Sequence, residues 1–140
     1  MTYAAGHHTT RGETMADDLK DIEAVLQTYF DGLYEGDVGK LAAAFHDSAD
    51  LRSVDADGAL AVLPRAAWLD AVKNRPSAAS RNLPRRDFVI SIDRSSPNTA
   101  FAKVNCQIPP RYFTDYLVLA KLNGGWKVVS KTFHTDTREG

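Results

Sequence analysis

Apolar residues in the first part of the chain recur three or four residues apart, which is the period of a helix. Between residues 16 and 35 they form one stripe, made of Leu19, Ile22, Val25, Leu26, Tyr29, Phe30 and Leu33. This stripe predicts an amphipathic helix of about five turns. Gly36 is expected to end the helix, and Asp37 to cap a second, shorter helix over residues 38–45.

After residue 48 the pattern alternates with a period of two, as it does in β-strands. Residues 49–54 and 59–63 flank an Asp-Ala-Asp-Gly sequence at residues 55–58, which is a turn signal. The two runs therefore predict a β-hairpin, which Pro64 ends.

A helical pattern returns over residues 65–74 and predicts a third helix. Residues 75–84 contain two prolines and are expected to form a long loop, and residues 85–93 a strand. The longest β-rich stretch, residues 101–134, is divided by a Pro-Pro-Arg corner and by an Asn-Gly-Gly turn. Helices first and an antiparallel meander last predict an α+β fold in which a curved sheet wraps around the helices.

Composition limits the protein to one domain and excludes several partners. The 140 residues are 44% hydrophobic, enough for a single core, so we expect one domain over residues 16–136 between a flexible arm (1–15) and a tail (137–140). A net charge of -1 provides no field for nucleic acid or an anionic membrane. One cysteine, no secretory signal pattern and no membrane-spanning apolar run together predict a cytoplasmic location.

Three runs in this order of elements carry a resemblance to a known superfamily. They are YFDGLYEGD at 29–37, AFHDSADL at 44–51 and GGWKVV at 124–129. The chain resembles the nuclear transport factor 2-like superfamily, and most closely its putative lumazine-binding, SnoaL-like branch. The resemblance implies a cystatin-like α+β cone, in which three N-terminal helices pack in the concave face of a strongly curved, mostly antiparallel sheet. It also implies a pocket inside the cone and a homodimer formed through the outer sheet face.

The superfamily includes isomerases, polyketide cyclases and dehydratases, so the resemblance does not name a reaction. Compared with the ketosteroid isomerase pattern, Tyr29 lies at the position of the oxyanion tyrosine, seven residues before Gly36. Ser53 occupies the position of the proton-moving acid, and Asp115 lies about one pleat from the position of the second acid. Tyr29 is thus either a group that stabilises an enolate or a core tyrosine.

Asp55 and His46 are the candidate proton carriers. Asp55 sits at the mouth of the hairpin, where it is either a general base or a turn residue bonded to its own backbone. His46 follows the second helix, where it is either a proton shuttle or a structural link to the next strand. If the protein is an enzyme, Asp55, His46 and Tyr29 form its predicted catalytic set.

Aromatic residues are expected to line the pocket, with a few polar groups that orient a ligand. The predicted ligand-binding residues are Phe30, Tyr34, Phe45, Trp68, Asp115, Tyr116 and His134. Strict alternation on the last strand leaves two possibilities, because either His134 or the pair Lys131 and Phe133 faces the pocket.

No metal site and no cofactor motif are predicted, because no His and carboxylate set has ligand spacing and no glycine-rich phosphate loop is present. Cys106 is interpreted as a small buried hydrophobe. The function predicted from these observations is binding of a small, largely apolar ring compound. The alternatives are an isomerase, cyclase or dehydratase that moves a proton α to a carbonyl, and a protein-interaction module that uses the outer sheet face.

Overall fold

A computed structural model describes residues 11–138 of the chain. Two helices precede a first hairpin, a third helix follows it, and four long strands come last. The helices are α1 (Arg11–Glu35), α2 (Val38–Ala44) and α3 (Arg65–Lys73), and the strands are β1 (Asp50–Val54), β2 (Leu60–Pro64), β3 (Phe88–Ser96), β4 (Thr99–Ile108), β5 (Arg111–Leu122) and β6 (Gly125–Thr137). This is the predicted order, and the α+β fold class is confirmed. None of the helices within these residues is long and apolar enough to cross a membrane.

The six strands form one sheet in the order β2-β1-β6-β5-β4-β3. Neighbouring strands are antiparallel except β1 and β6, which run parallel where Leu51 lies beside Lys131. The sheet is therefore mostly antiparallel, as expected. Its concave face packs on the apolar stripe of α1 to form the core, which includes Ile22, Leu26, Tyr29, Val104, Leu117 and Leu119.

The boundary between the first two helices follows from local chemistry. Gly36 has a φ of +68°, and the Asp37 N–H donates to the Gly32 carbonyl at 2.9 Å. This is the Schellman end of a helix, which favours glycine at the left-handed position. The Asp37 side chain then accepts a hydrogen bond from the Lys40 N–H at 3.1 Å and caps α2.

Two sequence expectations about α1 need correction. The helix begins at Arg11, five residues before the predicted start, so part of the expected arm is helical, and residues 1–10 lie outside the described residues. Leu19, assigned to the buried stripe, is 42% exposed. The side chain that enters the core from this turn is Asp18, which is 2% exposed.

Strand β6 contains a bulge that changes which residues face the core. Leu119 pairs with Val128, whereas Val118 pairs with Ser130, so Val129 is an extra residue. Trp126 and Val128 before the bulge, and Lys131 after it, are all buried on the concave face. The expectation of strict alternation is therefore wrong for β6, because one inserted residue reverses the parity of the strand.

Asp18 connects the start of α1 to three strands. Its Oδ1 accepts from Lys121 Nζ at 3.0 Å and from Trp126 Nε1 at 3.3 Å, and its Oδ2 accepts from Arg94 Nη2 at 3.0 Å. Burial raises the pKa of Asp18, but these hydrogen bonds and the positive charges of Lys121 and Arg94 outweigh it, so the pKa is lower than usual. The ionised form of Asp18 therefore stabilises the fold.

Replacing Asp18 by Asn should lower the free energy of unfolding by about 3 kcal/mol at pH 7, because it leaves the two cations without a buried anion. The folded-state pKa is depressed, so this stabilisation is present above an unfolded pKa of about 3.9 and is lost as the pH falls through the folded value. Urea unfolding between pH 7 and pH 3 should show the gap between wild type and Asp18→Asn closing at the acid end. Asp17→Asn, on the adjacent exposed position, is the control, and an equal loss in that variant would contradict the argument.

Candidate functional site

Four polar side chains from four elements meet inside the cone. They are Tyr29 of α1, Cys106 of β4, Asp115 of β5 and Lys131 of β6, which we call the Tyr29 cluster. All four are buried, and Tyr29 and Asp115 have no exposed surface. A group of charged side chains this far from water requires partners, because an isolated buried charge is strongly destabilising.

The Tyr29 hydroxyl links the two charges of the cluster. It donates a hydrogen bond to Asp115 Oδ2 at 2.5 Å and accepts one from Lys131 Nζ at 2.8 Å. Lys131 Nζ lies 3.8 Å from the same Asp115 oxygen, so the two side chains also form an ion pair. The Cys106 thiol donates to Asp115 Oδ2 at 3.4 Å.

The sheet register brings these side chains together. Cys106 lies opposite Phe113, and Asp115 lies opposite Phe133. Paired residues project from the same face of a sheet, so the side chains of these four strand residues are on the concave face. Lys131 lies on the same face because of the bulge at Val129. Without the extra residue its side chain would project from the convex face.

Burial and charge fix the protonation of two members of the cluster. Burial raises the pKa of Tyr29 well above its usual value, and the negative charge of Asp115 raises it further. The pKa of the Cys106 thiol is also raised well above its usual value, first by burial and then by Asp115. Tyr29 therefore remains a hydrogen-bond donor, and Cys106 remains a thiol and a poor nucleophile.

The cluster is not internally complete. Asp115 Oδ1 is buried and has no hydrogen-bond partner among the described residues. The Lys131 ammonium has three N–H groups, and the one hydrogen bond it makes within residues 11–138 goes to Tyr29. The cluster thus contains an unsatisfied acceptor and unused donors, and an unsatisfied carboxylate oxygen in this position costs about 1–3 kcal/mol.

Aromatic rings surround the ammonium. Lys131 Nζ lies 5.1 Å from the centre of the Tyr29 ring, 5.2 Å from Trp68 and 4.8 Å from Phe133. Phe45 extends this wall, with its ring centre 4.9 Å from that of Trp68 and 5.3 Å from that of Tyr29. Cation–π attraction stabilises the charge here, and the rings give the cluster flat apolar walls.

The structure brings together five of the residues predicted from the sequence. Tyr29 and Asp115 form the polar centre, and Phe30, Phe45 and Trp68 pack on the Tyr29 ring with centres 5.3 to 6.4 Å away. Tyr34 is partly buried and donates instead to the Leu83 carbonyl at 2.8 Å, which fastens the loop that follows α3.

Asp55 does not belong to the cluster. Its side chain is exposed, and its Oδ1 accepts from the backbone N–H groups of Asp57 and Ala59 at 2.9 and 3.0 Å. The interpretation of Asp55 as a general base is therefore corrected to that of a turn aspartate.

His46 also has a structural role. Its Nδ1 accepts from the Ser48 N–H at 3.1 Å and lies 2.8 Å from the Ser48 hydroxyl, while its backbone N–H donates to the Val128 carbonyl at 2.9 Å. These bonds tie the end of α2 to β6, so the predicted catalytic set of Asp55, His46 and Tyr29 does not come together.

Tyr116 and His134 lie on the other side of the sheet from the cluster. Both are exposed and border a groove of about 320 Å³ that opens between β1 and β6. Tyr116 is there because its neighbours Asp115 and Leu117 occupy the concave face, and His134 because the bulge reversed the parity of β6. The sequence prediction that these two residues line the interior is therefore wrong.

Lys131 is the functional candidate that sequence reasoning left undecided. One signal for it exists, because the apolar positions of β6 change parity between Val128 and Phe133. Both sets can face the core only if a residue is inserted between them. The described residues contain no group of three or more His, Cys, Asp or Glu side chains that could hold a metal ion.

Removing either charge of the ion pair should destabilise the fold. Asp115→Asn and Lys131→Met should each lower the free energy of unfolding by about 3–5 kcal/mol, because each leaves one uncompensated buried charge. The double variant should be more stable than the sum of the two losses predicts, by about 1–3 kcal/mol, when all four proteins are compared by urea unfolding. Simple additivity would show that the two charges do not depend on each other.

Comparison with known families agrees with the fold and the sequence patterns. The sequence model of the family described as putative lumazine-binding matches residues 17–134. The resemblance inferred from the sequence is thereby confirmed. None of the curated proteins matches the chain.

Solved structures of similar fold include proteins of unknown function and a putative enzyme. A nuclear transport factor 2-like protein of unknown function from Shewanella baltica is 28% identical with a TM-score of 0.79, over 94% of this chain and 100% of that chain. A similar protein from Methylobacillus flagellatus, also of unknown function, is 28% identical with a TM-score of 0.75, over 86% and 94%. A putative scytalone dehydratase from Novosphingobium aromaticivorans is 17% identical with a TM-score of 0.63, over 92% and 93%, which establishes similarity of fold alone.

Proposed function

We propose that this chain, which belongs to the putative lumazine-binding family, binds a small planar ring compound at the Tyr29 cluster. The observation that carries the proposal is the buried Asp115 Oδ1, which has no partner among the described residues, whereas Oδ2 of the same carboxylate lies 3.8 Å from Lys131 Nζ. A ring edge with adjacent donor and acceptor atoms would satisfy both groups at once.

Asp115 Oδ1 and the unused N–H groups of Lys131 determine which atoms the edge of the ligand must carry. An N–H or O–H of the ligand would donate to Asp115 Oδ1, and a neighbouring carbonyl oxygen would accept from Lys131. The flat walls supplied by Trp68, Phe45 and Phe133 favour a ring over an aliphatic chain. Lumazine, the compound in the name of the family, has ring N–H groups next to carbonyl oxygens and so fits this pattern.

Proton transfer is the alternative that the same groups support less well. Neither Asp55 nor His46 reaches the cluster, so an isomerase, cyclase or dehydratase would have to use Asp115 as its base. Asp115 already accepts from Tyr29 and Cys106 and pairs with Lys131. Three groups therefore already surround Asp115 Oδ2, and Oδ1, the oxygen without a partner among the described residues, suits acceptance of a hydrogen bond from a ligand donor.

Lumazine should raise the melting temperature of the wild-type protein and bind it in calorimetry, whereas naphthalene, which lacks the polar edge, should bind more weakly. The Asp115→Asn, Lys131→Met double variant removes both partners while keeping the core free of a lone charge. It should bind lumazine at least about tenfold more weakly.

His134→Asn is the matched control, because His134 borders the outer groove and not the cluster. Lumazine binding should be unchanged in this variant. If His134→Asn abolished binding and the double variant did not, the ligand would lie in the groove and the proposal would be wrong. Absence of binding by the wild type would equally contradict it.

The outer sheet face supports a second proposal, association of two copies of the chain. The helices cover only the concave face, and Tyr116 and Val118 on the outer face are 42% and 40% exposed. Phe101 stacks on Tyr116 with ring centres 5.9 Å apart, so this face carries an apolar strip. Such a strip favours self-association over a purely polar interface.

Val118→Lys should convert a wild-type dimer to a monomer in light scattering after gel filtration, because the charge would be buried between the two sheets. Leu19→Lys is the control, since Leu19 is exposed to a similar extent but lies on α1. A wild-type protein that remains monomeric at high concentration would contradict the proposed dimer.

A further inference from the structure

Strand β2 forms one edge of the sheet and is exposed along its whole length. Among residues 11–138, β1 is the only strand that pairs with it. All five residues of β2, Leu60–Pro64, are exposed. An edge strand presents unpaired N–H and C=O groups, which are the groups that bind a further strand.

Two hydrogen bonds, one at each end of the hairpin, fix which backbone groups of β2 point toward β1. The Asp55 N–H donates to the Ala59 carbonyl at 2.9 Å, and the Arg65 N–H donates to the Ala49 carbonyl at 3.1 Å. Hydrogen-bonded and non-bonded positions alternate along an antiparallel pair. Both bonds give the same alternation, in which the odd-numbered residues of β2 point toward β1.

The even-numbered residues therefore point to the open side of the strand. Ala61 and Leu63 bond to β1, whereas the N–H and C=O groups of Leu60 and Val62 face away from it. Pro64 is also even-numbered and has no N–H, as is usual for a proline on the open side of an edge strand. The open side thus presents two N–H groups and the two C=O groups of the same residues.

The two edges of the sheet differ in how they are protected from pairing. Strand β3, at the other edge, carries Asp93 and Arg94 and has two irregularities in its register. Charges and bulges are the usual means by which an edge strand avoids further pairing. Strand β2 has no charged residue, and its register with β1 is continuous.

The side chains beside this open edge are apolar and exposed. Leu60 and Val62 are 61% and 47% exposed, and Val54, which lies opposite Leu60 on β1, is 71% exposed. Residues that pair across strands or lie two apart share a face, so these three side chains form one patch. A partner that suits the edge supplies both a strand and apolar side chains.

We propose that β2 pairs edge to edge and antiparallel with β2 of a second copy of this chain, with the two copies of Ala61 opposite each other. In this register Leu60 of each copy lies opposite Val62 of the other. Each copy supplies two N–H and two C=O groups, so four hydrogen bonds use all the outward groups of these residues. The register also brings the apolar patches of the two copies together, and no charge of β2 opposes another. The contact is separate from the ligand site and from the outer-face association proposed above.

Hydrogen exchange measured by NMR at low micromolar and at near-millimolar protein concentration tests the pairing. Two five-residue strands bury less surface than a standard interface, so we expect association at the high concentration only. There the Leu60 and Val62 amides should exchange at least about tenfold more slowly than at low concentration. The Ala61 and Leu63 amides bond to β1 and should be protected at both concentrations. Equal rates for Leu60 and Val62 at the two concentrations would overturn the proposal, and so would protection already at the low one, which would show a cover from within the chain.

Val62→Pro removes an N–H that points away from β1, so it should leave the hairpin intact and abolish the concentration-dependent protection of Leu60. Val62→Lys keeps the backbone unchanged and should have the same effect, because it places a charge against the apolar side chains of the other copy. Leu19→Lys is the matched control, since Leu19 is 42% exposed but lies on α1, and it should behave as the wild type.

Val118→Lys separates this contact from the outer-face association, because Val118 lies on the outer sheet face and not on β2. The protection of Leu60 at high concentration should persist in this variant. Its loss would assign the protection to the outer face and overturn the edge pairing. Persistence of the protection in both Val62→Pro and Val62→Lys would show that the copies associate through another surface and would equally overturn it.

Discussion

The extra residue Val129 in β6 is the constraint on which the rest of the structure depends. A strand of strict alternation could bury Trp126 and Val128, or Lys131 and Phe133, but not both pairs. The bulge allows both, and each pair then serves a different purpose. The Trp126 indole donates to Asp18 and holds the start of α1 on the sheet, whereas Lys131 completes the polar cluster around Tyr29. The bulge thus places on one face both the side chain that holds α1 on the sheet and the side chain that completes the Tyr29 cluster.

Tyr29 is the residue that connects α1 to the two charged side chains of the sheet, Asp115 and Lys131. Its hydroxyl accepts from Lys131 and donates to Asp115, so it bridges a cation and an anion that are themselves beyond hydrogen-bond distance. Because its pKa is raised by burial and by Asp115, the proton stays on the tyrosine and the direction of both bonds is fixed. Asp115 Oδ1 and two N–H groups of Lys131 are thereby left without hydrogen-bond partners among the described residues. A phenylalanine in its place would fill the same space but leave the two charges to relax toward each other.

Features that depend on neighbouring residues alone were predictable from the sequence. The Gly36 and Asp37 boundary, and the turn in which Asn123 and Gly124 both have positive φ, follow from chemistry within a few residues. Features that depend on register between distant strands were not. Asp115 was assigned to the pocket from the pattern of its strand, and only the pairing with β6 and the approach of α1 show that it is fully buried and paired with Lys131. Asp55 illustrates the opposite error, since a functional role was assigned to a residue whose own turn already accounts for it.

The two buried aspartates of α1 and β5 provide an internal comparison. Asp18 has both oxygens partnered, by Lys121 and Trp126 on one and by Arg94 on the other. Asp115 has three groups gathered at Oδ2 and none at Oδ1 within the described residues. If the only requirement were stability, the second arrangement would be the worse one, because an unsatisfied buried acceptor costs free energy that an apolar residue avoids. The same chain satisfies one carboxylate fully and leaves the other open beside an ammonium and three rings, which is why the open one is the place to look for a ligand.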